Sequence, residues 1–71
     1  MLIIQGNRIN PKHIASYRLW THSDTAEVII EMVGGRAFNI KFPSKTKEES
    51  MKRAVSLLES LDKIYNATVI E

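Results

Sequence analysis

The hydrophobic periodicity of this 71-residue chain changes once, and the change limits the folds open to it. Up to Phe42 apolar and polar residues tend to alternate, as in strands whose two faces meet different surroundings. After Thr46 the apolar residues recur every three or four positions, as on one face of a helix. Pro43 stands at the boundary; it has no N–H to give to a ladder and ends the last strand. Strands first and a helix last describe an α+β arrangement in two layers.

Within the first part, Leu2-Ile3-Ile4 is a short apolar run closed by the turn signal Gly6-Asn7, and it reads as an edge strand over about residues 2–5. Asn10-Pro11 pairs a cap with a first-turn proline, so one brief helical turn is expected there. Strands follow at about 14–21, 26–33 and 37–42, separated by the polar His22-Ser23-Asp24-Thr25 and by Gly34-Gly35. The segment 26–33 has the strongest strand signal, because Val28, Ile29 and Ile30 are all β-branched. Directly opposed residues share a face, so Phe38, Ile40 and Phe42 should meet Val28, Ile30 and Met32. A loop of Gly34-Gly35 alone would set Glu31 against Phe38 and bury a charge. A three-residue loop with Val33 or Arg36 keeps the faces consistent.

The helix is expected over about 47–65. Thr46 and Glu49 have the spacing of a capping box, in which the hydroxyl and the carboxylate satisfy free N–H groups reciprocally. Met51, Ala54, Val55, Leu58, Leu61 and Tyr65 form its apolar stripe, and Asn66 is a suitable stop. The tail 67–71 is β-prone and suited to a sheet edge. There is no internal repeat, low-complexity stretch or linker. The expected product is a single small α+β domain over 1–71: an antiparallel sheet of three to four strands followed by one C-terminal amphipathic helix packed on one face.

A chain this short gains little from its own core, and such chains often add disulfides, a metal or a partner subunit. With no cysteine and only His13 and His22 as soft ligands, a well-packed core or a second copy is left. Ten Lys/Arg against eight Asp/Glu give +2, too small an excess to predict a polyanion partner. No apolar run approaches the roughly 18 residues that cross a bilayer, and the start of the chain lacks the features of a signal peptide. The absence of cysteine fits a cytoplasmic location.

No catalytic, cofactor or metal signature is present: no Gly-x-Gly-x-x-Gly, Walker loop, His-Glu-x-x-His or Gly-x-Ser-x-Gly. His22, Ser23 and Asp24 are neighbours in one polar loop, whereas a triad needs side chains converging from separate positions. Turn chemistry accounts for them. Glu48 and Glu49 sit in a helix first turn, where negative charge is favoured without any acid/base role. No enzyme, cofactor or metal is therefore expected.

Three surfaces are candidates for binding. If Ala15, Tyr17 and Leu19 face the helix, then Ser16, Arg18 and Trp20 face outward beside Glu27, Ile29, Glu31 and Val33. Arg18 can then pair with one of the glutamates, leaving Trp20, Ile29 and Val33 as apolar groups on an uncovered face. Leu57 and Ile64 widen the helix stripe beyond what one small sheet needs, with Leu61 and Thr68 on the same ridge. Lys41, Lys45, Lys47, Lys52 and Arg53 gather near the helix start, where cations oppose the macrodipole and an anion or nucleic-acid phosphate would relieve them.

The layout Ile9-Asn10-Pro11-Lys12-His13-Ile14, then Asp24-Thr25 before an apolar strand, Gly34-Gly35, Phe38-Asn39-Ile40-Lys41, and Ser44 before an acidic-capped helix resembles the small FlbD-type flagellar operon proteins. The likeness covers about residues 9–61 and departs in the longer loop after Trp20 and the tail. It implies a non-enzymatic accessory role and assigns no functional residues. The residues themselves point to a protein-protein interaction module that self-associates as a homo-oligomer or binds another protein, through the uncovered sheet face or the helix ridge. The alternative is a small nucleic-acid-binding or regulatory protein using the basic cluster.

Overall fold

Gln5 and Gly6 both have positive φ, 48° and 81°, the backbone sense of a type I′ turn, whose twist matches that of the flanking strands. In the computed structural model, which describes residues 2–66, this turn folds Leu2–Ile4 (β1) back on Asn7–Ile9 (β2). Leu2 lies opposite Ile9, Ile3 opposite Arg8 and Ile4 opposite Asn7. The turn comes one residue earlier than Gly6-Asn7, and β1 forms a separate two-stranded sheet rather than the edge of the main one. The alternation does not announce β2, because three residues with one apolar side chain carry no period. Next comes the expected turn, a 3₁₀ helix over Pro11–His13, in which the Lys12 N–H donates to Asn10 Oδ1 at 3.0 Å.

The main sheet holds Ile14–His22 (β3), Thr25–Met32 (β4) and Ala37–Phe42 (β5), antiparallel in the order β3-β4-β5. What reads as a longer loop after Trp20 is a continuation of β3 to His22 and a two-residue turn, Ser23-Asp24. Between β4 and β5 the expected three-residue loop is Val33-Gly34-Gly35, closed by the Met32 N–H donating to the Arg36 carbonyl at 2.7 Å. Gly34 and Gly35 have φ of 102° and 95°, which side chains rarely adopt. Ile40 then faces Val28 and Phe38 faces Ile30, while Phe42 falls opposite Ala26 rather than Met32.

A bulge near the start of β3 shifts one residue. Ile14 pairs with Met32 and Ser16 with Glu31, so Ala15 is the extra residue and is exposed. Ile14, rather than Ala15, joins Tyr17 and Leu19 against the core.

Lys47–Tyr65 forms the helix (α1), capped by Thr46 Oγ1, which accepts from the Glu49 N–H at 3.2 Å. Only half of the capping box forms, because the Glu49 carboxylate turns to accept the Ser44 hydroxyl. Asn66 ends the helix in the left-handed conformation, φ 50°. The buried core is Ile9, Ala26, Val28, Ile30, Ile40, Ala54 and Leu61. Both α1 and the β1–β2 hairpin contribute to it, so two elements and not the helix alone supply the second layer. Val55 is exposed, one position off the stripe that the spacing assigns it to.

The helix also buries a polar residue, Ser50. Its hydroxyl accepts the Ala26 N–H at 2.7 Å and donates to the Phe42 carbonyl. Ala26 and Phe42 face each other across the last rung of β4–β5, so one side chain of α1 completes the end of the ladder. A buried backbone group without a partner costs about 1–3 kcal/mol. Ser50→Ala should therefore lower the unfolding free energy by about 1–3 kcal/mol, read as a drop in the urea midpoint at unchanged slope. A midpoint equal to the parent's would mean that the hydroxyl is dispensable.

Candidate interaction surfaces

The side of the main sheet turned away from α1 is built from Ser16, Arg18 and Trp20 on β3, Glu27, Ile29 and Glu31 on β4, and Asn39 and Lys41 on β5. No described residue forms a layer over it. Trp20 is 51% exposed and lies opposite Glu27, which also faces Lys41 on its other side. Arg18 lies opposite Ile29 and reaches diagonally to Glu31, with Nη1 2.9 Å from Oε1. This pair is solvent-exposed, so it adds at most about 1 kcal/mol and serves mainly to neutralise the face. Arg18, Trp20 and Ile29 thus share one surface. Val33 does not: it sits in the β4–β5 turn, where its N–H donates to the His13 carbonyl at 2.8 Å, and it lines a recess with Ile9, Met32 and Phe38.

Leu57 and Ile64 lie two turns apart on one flank of α1. Leu57 is half-buried beside an open groove of about 440 Å³ whose other wall is β1. Ile3, Ile4, Phe42 and Leu57 give it an apolar lining, and Arg53, Ser56 and Ser60 give it a polar rim. Ile64 continues the flank and is 45% exposed. Ile3, 67% exposed on the other wall, is absent from the residues singled out by the sequence. A signal for it exists: of three consecutive apolar residues in a strand, one must point away from the other two.

The basic residues diverge. Lys41 occupies the outer sheet face, while Lys45 and Lys47 flank the helix cap. Lys52 and Arg53 lie on the exposed side of α1, around a shallow hollow shared with Glu49 and Ser56. All five are exposed, and Lys41 stands apart from the four on or beside α1.

Two tyrosines tie the end of α1 to β3 and to the 3₁₀ helix. The Tyr17 hydroxyl donates to Asp62 Oδ1 at 2.6 Å, and the Tyr65 hydroxyl donates to the Pro11 carbonyl. Their ring centroids are 6.0 Å apart. The bond to the Asp62 carboxylate, with a smaller effect of burial and of the Asp62 charge, pushes the Tyr17 phenol up to about 12; burial also raises Tyr65.

His13 and His22 stand at opposite ends of the nine-residue β3, about 30 Å apart at strand rise, so they cannot share an ion. His22, Ser23 and Asp24 are exposed around a tight turn, with His22 paired to Thr25. Among the described residues no group of three or more His, Asp or Glu side chains is placed to hold a metal, and no helix is long and apolar enough to cross a membrane. Comparison with known proteins found no match among family models, curated proteins or solved structures.

The tyrosine pair generates a pH dependence. A phenol whose folded pKa lies above the ordinary 10 stabilises the fold while protonated, and that stability is lost as pH rises from 10 through 12. Unfolding midpoints measured across this range should fall for the parent and fall less for Tyr17→Phe. At neutral pH the variant should be weaker by about 1 kcal/mol for the lost hydrogen bond. Parallel alkaline profiles would remove Tyr17 as the source.

Proposed function

We propose that this chain is a non-enzymatic protein-interaction module of the cytoplasm that pairs with a second copy of itself through the groove between β1 and α1. The observation that carries the reading is Ile3. An isoleucine 67% exposed beside an apolar recess lined by Ile4, Phe42 and Leu57 combines a knob and a hole on one surface. A two-fold axis lets each copy's knob enter the other's hole, the self-complementary contact that symmetric dimers use. Burying Ile3, Leu57 and Ile64 in this way would add apolar burial to a small fold whose described residues include seven fully buried core hydrophobics. The resemblance to FlbD-type proteins bears on the non-enzymatic accessory role alone and assigns no residue to the interface.

The outer sheet face is the second reading, favoured by the exposed Trp20 next to Ile29. Its neutralised charges would not repel a partner, but its apolar residues stand among Arg18, Glu27, Glu31 and Lys41. Nucleic-acid binding is the competing class, and the divergence of Lys41 from Lys52 and Arg53 weighs against a single phosphate-tracking surface.

Light scattering at two protein concentrations and two salt concentrations tests the proposal. The expected mass is twice that of the chain, insensitive to salt, falling to one chain in Ile3→Asp and staying at two in Trp20→Ala. Ile3 is exposed enough that the substitution should leave the fold intact, which a far-ultraviolet spectrum would verify. A dimer that survives Ile3→Asp but not Trp20→Ala transfers the interface to the sheet. A monomer at all concentrations rejects self-association.

A further inference from the structure

At the end of the molecule away from the helix start, two arginines and a histidine come together from three separate segments. Arg8 comes from β2, His13 from the 3₁₀ helix, and Arg36 from the end of the β4–β5 turn; together they line one open pocket of about 420 Å³. Ile9, Met32 and Phe38 give the pocket apolar walls, and among the described residues no carboxylate lines it. Neither arginine has a carboxylate partner among the described residues, where the one ion pair is Arg18–Glu31 on the outer face. Gly34 also lines the pocket. The turn's hydrogen bonds engage the N–H groups of Val33 and Gly35, and among the described residues that of Gly34 has no partner.

We infer that this pocket binds a small phosphate monoester carrying an apolar or aromatic group. Guanidinium groups are permanently charged and present paired N–H donors that match phosphate oxygens. Two of them carry enough positive charge for a dianion, the His13 imidazole adds a further N–H donor, and like charges brought together are relieved by such an anion. The volume is that of small-molecule sites, which join mostly apolar walls to a few convergent polar groups. Bare phosphate would leave Met32 and Phe38 unused, so the apolar body belongs to the ligand. The site is separate from the β1–α1 groove, and the inference stands whether or not that groove forms a dimer.

Phenyl phosphate is the probe, titrated into the isotopically labelled full chain at physiological salt and followed by amide resonances. Saturable shifts are expected at Arg8 and across Val33 to Arg36, with inorganic phosphate binding more weakly. Arg8→Gln combined with Arg36→Gln should weaken binding at least about tenfold, the scale of one lost charge-assisted hydrogen bond. Lys45→Gln combined with Lys47→Gln should change nothing. All four residues are exposed, so folded spectra are expected for both variants. The absence of saturable shifts would overturn the site, as would equal weakening by the two lysine substitutions. Inorganic phosphate binding as tightly as phenyl phosphate would overturn the assignment of an apolar ligand body.

Discussion

The Ser50 hydroxyl joins the two layers of this protein. It stands between the Ala26 N–H and the Phe42 carbonyl, where the β4–β5 ladder ends, and it projects from the first turns of the helix that covers the sheet. Apolar packing of Ala54 and Leu61 holds α1 against Val28, Ile30 and Ile40, but such packing is non-directional and tolerates sliding. A buried hydroxyl that must both accept and donate does not. It sets where along β4 and β5 the helix begins, and Tyr17–Asp62 and Tyr65–Pro11 set where it ends. The position of α1 in turn determines which flank is left beside the hairpin.

From that placement the exposed features follow. The helix lies over β4 with its Leu57–Ile64 flank toward β1, and the hairpin stops short of closing over it, so a groove remains. The β4–β5 turn and the 3₁₀ helix are tied together by Val33 to His13; that tie brings Arg36 and His13 to the pocket that Arg8 completes. The proposed self-association and the proposed anion site thus use different elements and different chemistry, one apolar and one cationic.

Much of the architecture was legible in the chain. Alternation marked β3, β4 and β5, the cost of burying Glu31 selected the three-residue loop, and the Thr46 and Asn66 caps bounded the helix. The faces of Arg18, Trp20 and Ile29 followed from the same alternation, as did the Arg18–glutamate pair. What escaped was short or singular: β2 is three residues with no period, the Ala15 bulge shifts one side chain against the alternation, and Ser50 is a polar residue on an apolar stripe. The basic cluster near the helix start was close in sequence but split by geometry, because Lys41 lies on the outer sheet face and Lys52 on the helix.

The sequence alone determined the types and order of β1, β3, β4, β5 and α1, and which side of each long strand is apolar except at the Ala15 bulge. These depend on interactions between near neighbours: periodicity, β-branching, caps and turn residues with positive φ. Only the tertiary structure decided that β1 leaves the main sheet, that Ser50 bridges two strands, that Ile3 lies across a groove from Leu57, and that Arg8, His13 and Arg36 line one pocket. Each of these joins residues far apart in the chain, and their meeting depends on how helix and hairpin pack on the sheet rather than on any local preference.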